Sequence, residues 1–136
     1  MQETAIDETM IERLVYAFYG AARRDKLIGP IFEAKVSDWD RHLARMCAFW
    51  SSVALMSGRY SGTPMQVHTP LPIDAAHFDR WLDLWGHAAR TECPPAAAER
   101  FIQLAGRIAE SLAHGVAVHR SLLPGRRAAQ PQTQGS

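Results

Sequence analysis

Apolar positions recur along this chain at intervals of three and four, the period of a helix with one buried face, and strand-like alternation is nearly absent. The first such stripe is Ile11, Leu14, Val15, Phe18 and Ala22, with Tyr19 at its edge and Tyr16 pointing the other way. Its start falls near Asp7 or Thr9, and Thr9 with Glu12 has the spacing of a capping box. Arg23 and Arg24 suit its end, where positive charge meets the helix dipole. Gly29-Pro30 breaks the helix, and Ile31 and Phe32 follow as an apolar plug in an irregular connection. Ser37 is expected to cap the second helix, with Asp38 and Asp40 in its first turn. Trp39, Leu43, Met46, Cys47, Phe49, Trp50 and Val53 form its apolar face, while Arg41 and Arg45 face outward.

Ser57-Gly58 marks the end of that helix. In Ser61-Gly62-Thr63-Pro64, Thr63 is placed to cap and Pro64 to occupy the first helical position. Pro70 and Pro72 stop the new helix after about two turns, and His68 lies inside it. Asp74 caps the next helix, with an inner stripe of Phe78, Trp81, Leu82, Trp85 and Ala89. After Pro94-Pro95 comes the last long stripe: Phe101, Leu104, Ala105, Ile108 and Leu112. From Pro124 the chain reads PGRRAAQPQTQGS, a tail expected to be disordered. The reading is all-α: four substantial helices and one short helix between prolines. It divides into an N-terminal extension over 1–8, one domain over 9–122 and a tail over 123–136.

Length and composition narrow the function classes. A chain of 136 residues with 47% hydrophobic and 21% charged residues suits one globular domain. A net charge of +1 gives no electrostatic footprint for nucleic acid. The acidic start MQETAIDETM has no apolar run after a basic segment, so no secretory signal is expected and the chain reads as cytoplasmic. No stretch approaches the roughly 20 apolar residues of a membrane span. Two cysteines, Cys47 and Cys93, make no disulfide scaffold and are expected as reduced thiols.

Candidate chemistry is confined to a few polar groups set among apolar ones. His42 lies about 60° from Trp39 and about 40° from Met46 around its helix, within the apolar arc. Alone it reads equally as a hydrogen-bonded core histidine. His68 sits on a fragment too short to be stable by itself, since isolated helices under roughly 12 residues are marginal. Either packing or a bond to a metal must hold it. Tyr19 and Trp81 each bring one polar hydrogen to an apolar face, as core aromatics also do. His77 falls in a first turn as a solvated or capping residue, and His87 is spaced to pair with Asp83. No HExxH, Ser-His-Asp, phosphate-loop or dinucleotide fingerprint occurs, so a protein-only metal centre gains no support.

Read together, these positions resemble a known family. The segments AFYGAARRDKLIGPIF, DWDRHLARMCAFWSSV, GRYSGTPMQVHTPLPID and AHFDRWLDLW are similar to the group III truncated haemoglobins, a bacterial branch of the globins. The likeness spans about Ile11 to Leu112, and its most specific part is GRYSGTPMQVH with the following HFDRWL. It implies a two-on-two helical sandwich around haem. It implies His68 as the proximal iron ligand and Tyr19, His42 and Trp81 as groups facing a bound gas. Phe32 matches an aromatic packed on the haem, and Met46, Phe49, Trp50 and Phe78 match pocket-lining positions. The absence of CxxCH makes the expected cofactor non-covalent haem b. Arg45 and Arg59 both stand as partners for its carboxylates.

The implied function is binding of O2, CO, NO or other small haem ligands at a five-coordinate-type iron with a polar distal pocket. Two donors aimed at oxygen would slow its release, which argues against bulk delivery. An alternative is a haem enzyme that oxidises nitric oxide or reduces peroxide, drawing electrons from a separate reductase. A reading of another class is a cofactor-free helical module for an apolar ligand or partner. Neither nucleic acid nor a membrane is expected as a partner.

Overall fold

A computed structural model describes residues 5–62, 64, 68 and 71–121 of the chain. Among them α1 runs over Glu8–Ala22, α2 over Gly29–Lys35, α3 over Trp39–Leu55, α4 over Ala75–Glu92 and α5 over Pro95–Ser121. The tail expected over 123–136, Thr63 as a cap, and most of the fragment around His68 lie outside the described residues.

Asp7, not a Thr9–Glu12 box, caps α1: its side chain accepts from the Met10 N–H at 2.9 Å. Ile11, Leu14, Val15 and Phe18 are almost fully enclosed, and Tyr16 on the opposite side is 50% exposed. Arg23 does not simply meet the helix dipole. Its Nε bonds Glu33 at 3.0 Å and its guanidinium lies 4.1 Å over the Trp39 ring, which holds the end of α1 to both following helices.

The connection after α1 is more ordered than its Gly-Pro pair suggests. Gly29 and Pro30 open α2 instead of only ending a helix, because the fixed φ of proline suits a first turn. Glycine is needed at 29: a Cβ there would stand 2.9 Å from the Arg23 carbonyl oxygen. Asp25 shapes the turn, since its Oδ2 accepts from Leu27 N and Ile28 N at 3.0 Å each. Its Oδ1 accepts from Arg80 Nε at 2.6 Å, tying the turn to α4.

The cap of α3 is Asp38, one residue beyond the expected Ser37, and it accepts from the Arg41 N–H. The helix stops at Leu55 because Met56 turns left-handed, at φ 56° and ψ 37°, before the expected Ser57-Gly58 stop. Asp74 caps α4 as expected, and His77 completes a reciprocal capping box with it. His87 is exposed, and no ion pair with Asp83 forms among the described residues.

The four long helices associate as two pairs, α1 with α3 and α4 with α5, and α1 also packs on α4. Phe18, Trp85, Phe101 and Trp50 fill the centre, with Trp85 Nε1 donating to the Phe101 carbonyl at 3.2 Å. A second cluster gathers Leu71, Ile73, Phe78, Ala109, Leu112 and Val116. Trp81, Leu82 and Ile108 border both clusters without being fully buried. No helix among the described residues is long and apolar enough to cross a membrane.

Candidate functional site

Tyr19 stands at the middle of the polar part of the core. Its position on α1, one helical turn after Val15, carries its ring inward, where it meets Phe18, Phe32, Trp39 and His42 edge-on at centroid distances of 4.8 to 5.7 Å. The Tyr19 hydroxyl and His42 Nε2 are 3.2 Å apart, a hydrogen bond between α1 and α3. Burial, followed by the nearby Cys47 thiol, pushes the Tyr19 phenol well above its ordinary range, so it stays a neutral donor. Burial also lowers the pKa of His42, and repulsion from Arg45 and His68 lowers it further. His42 is therefore neutral, and one of its nitrogens is free to accept. With the proton on Nδ1, His42 Nε2 accepts the Tyr19 O–H, so a guest that recruits this hydroxyl competes with His42.

His68 has helical backbone and is half-buried. Its Nδ1 lies 2.7 Å from the carbonyl oxygen of Pro64, one turn back. That oxygen can only accept, so Nδ1 is the donor, and Nε2 is the ring nitrogen left for another partner. A metal-ligating histidine needs this state: one nitrogen fixed by an acceptor, the other free to donate electrons.

The walls between these groups are apolar but incompletely closed. On α3 only Trp50 and Ser51 are buried, and Trp39, Leu43, Met46, Cys47 and Phe49 remain half-exposed although they form its apolar face. Phe32 of α2 is also half-buried, against Tyr19 and Trp39. Trp81 adjoins Phe18, which adjoins Tyr19, and its indole N–H has no hydrogen-bond partner among the described residues. A tryptophan donor in an apolar setting usually finds an acceptor.

The sequence-predicted residues separate into groups. Tyr19, His42 and Phe32 come into direct contact, with Trp81 one ring away. Met46 lines the half-open face. Phe49 contacts Trp50 and Tyr60, and Trp50 is 3% exposed and stacked on Trp85 in the central core. Phe78 belongs to the second cluster, beside Leu71 and Ile73. Two participants were not singled out from sequence. Trp39 closes the aromatic ring around His42, and its signal was its place on the same stripe. The Pro64 carbonyl fixes the His68 ring, and the i to i−4 spacing within a helix starting at proline was the available clue.

The two candidate carboxylate partners also differ. Arg59 is committed to Glu8, whose other oxygen accepts from Ser51. Arg45 lies over the Tyr60 ring, donates to its hydroxyl at 3.4 Å, and acts electrostatically on His42. Among the described residues, no group of three His, Cys, Asp or Glu side chains could hold a metal ion unaided.

No family model matches the chain. It is 33% identical over 90 residues to the group 3 truncated haemoglobin ctb of Campylobacter jejuni, across 62% of this chain and 71% of that protein. The structure of a group III truncated haemoglobin from Campylobacter jejuni superposes with a TM-score of 0.78 at 30% identity, covering 85% of this chain and 95% of the other. A thermostable haemoglobin from the actinobacterium Thermobifida fusca shares the fold, with a TM-score of 0.54 at 20% identity over 86% of this chain and 93% of that one. The all-helical architecture of paired helices is thus the truncated globin fold, and the chain belongs to the group III truncated haemoglobins.

Proposed function

We propose that this protein binds haem b non-covalently through His68 and takes up small diatomic ligands against Tyr19, Trp81 and His42. The observation that carries the reading is the His68–Pro64 hydrogen bond, which engages Nδ1 and leaves Nε2 as the nitrogen that can meet iron. The half-exposed apolar face of α3 supports it, because a flat apolar cofactor would complete the burial of Trp39, Leu43 and Met46. Arg45 is the better partner for a haem carboxylate, since Arg59 already neutralises Glu8. Haem supplies the iron at which dioxygen, carbon monoxide or nitric oxide coordinates.

The protein's own groups then set affinity. A diatomic ligand that gains partial negative charge is met by two neutral donors, the Tyr19 O–H and the Trp81 N–H. A newly made bond of this kind is worth about 1.5–3 kcal/mol, and less for Tyr19, whose hydroxyl gives up its bond to His42. Phe32 and Trp39 pack against Tyr19, which is 7% exposed, and this shielding strengthens its hydroxyl as a donor.

Absorption spectroscopy tests the reading. Purified protein given haem should show a Soret band that shifts when the ferrous form meets carbon monoxide, and His68→Ala should weaken the band or change its ligation. Folded native protein that takes up no haem overturns the reading and favours a cofactor-free module.

A further inference from the structure

Three indoles run in line through the molecule. Trp81 and Trp85, one turn apart on α4, stack with centroids 6.2 Å apart and planes 17° apart. Trp50 of α3 stacks on Trp85 at 4.3 Å and 18°. The other ring pairs among the described residues are edge-on or tilted, so the parallel arrangement is confined to this line. Phe49 then bridges Trp50 to Tyr60, edge-on to each at 5.4 and 5.2 Å. Tyr60 is half-buried and reaches the surface. Arg45 donates to its oxygen, and the phenolic proton has no acceptor among the described residues.

We propose that Trp81, Trp85, Trp50 and Tyr60 form a relay that carries oxidising equivalents from the site to the surface, where a small hydrogen-atom donor is consumed at the expense of hydrogen peroxide. The proposal rests on the haem reading above. Tryptophan and tyrosine are the side chains most readily oxidised by one electron, and stacked rings give good electronic contact between successive donors. Each electron moves inward, from Tyr60 to Trp50, Trp85, Trp81 and the site, so the electron vacancy moves outward. Trp85 keeps its N–H proton because a peptide carbonyl is too weak a base to take it, and the buried Trp50 N–H has no acceptor among the described residues. Neither indole therefore traps the vacancy as a neutral radical. Tyr60 does, by releasing its phenolic proton to water. A donor of the ascorbate type then returns a hydrogen atom to Tyr60. Two such transfers supply two electrons to one peroxide, whose O–O bond breaks. With the two protons released at Tyr60 it becomes two waters, and two donor radicals leave.

The test uses haem-loaded protein, its Soret band recorded first, treated with equimolar peroxide and a nitroso spin trap. Adducts are then mapped by peptide mass, and radicals typed by electron paramagnetic resonance. The expected result is an adduct on Tyr60 with a tyrosyl signal. In Tyr60→Phe the adduct moves back to Trp50 or Trp85. In Trp85→Phe the Tyr60 adduct is lost, and oxidation stays on Trp81 or Tyr19. A native protein labelled only at Trp81 or Tyr19, a Trp85→Phe protein labelled at Tyr60 as before, or a Tyr60→Phe adduct on another surface tyrosine overturns the relay. The Soret band separates these results from failure of the haem reading, which would remove the relay with it.

Discussion

If haem binds as proposed, the Tyr19 and Trp81 donors should contribute unequally to oxygen retention. Among the described residues the Trp81 N–H has no partner, whereas the Tyr19 hydroxyl already bonds His42 at 3.2 Å. A ligand that recruits Trp81 gains a whole hydrogen bond, about 1.5–3 kcal/mol when one partner carries charge. A ligand that recruits Tyr19 gains the difference between two bonds, nearer the net 0.5–1.5 kcal/mol of an ordinary exchange. Trp81→Phe is therefore expected to speed oxygen release by about 10- to 100-fold, and Tyr19→Phe by roughly 2- to 10-fold. Stopped-flow displacement of oxygen by excess carbon monoxide measures both rates directly. If Tyr19→Phe releases oxygen faster than Trp81→Phe, the argument from the unpartnered indole is wrong. Release no faster than native in both variants would remove these residues from the site altogether.

Three stability predictions rest on the backbone. Gly29→Ala forces a Cβ to 2.9 Å from the Arg23 carbonyl and should cost about 1–3 kcal/mol, read as a lower denaturation midpoint with unchanged slope. Met56→Gly should stabilise by about 0.5–1 kcal/mol in the same assay, because Met56 is left-handed and 88% exposed and so loses strain without losing packing. Asp25→Ala should cost about 1–2 kcal/mol at neutral pH, the scale of a lost cap. Hydrogen bonds from Ile28, Arg80 and Leu27 outweigh the opposing effect of burial and hold the Asp25 carboxyl below its ordinary value of 3.8. Its contribution is thus complete above that value and lost as pH falls through the lower folded value, where native and variant midpoints should converge.

The apolar stripes of α1, α4 and α5 were legible because each helix buries one side against large neighbours, and a buried side must be apolar at helical spacing. Asp74 was legible as a cap because its acceptor serves N–H groups within its own turn. The same local chemistry could not separate Ser37 from Asp38, since either side chain can cap and only the observed backbone turn decides. Gly29-Pro30 misled for a related reason: the pair ends one helix or begins another equally well. The capture of Arg23 by Glu33 and Trp39 belongs to the arrangement that set α2 against α1.

By itself the sequence determined the helical class, the positions of most helices and the short set of polar groups that could do chemistry. Those properties follow from residues near one another along the chain. The tertiary structure decided how the groups meet. It joined Tyr19 to His42 across 23 residues, committed Arg59 to Glu8 while leaving Arg45 beside His42, and aligned Trp50 with an indole pair from another helix. Hydrogen bonds and ring stacking act over a few ångströms, and which distant side chains come that close is fixed only when the helices pack.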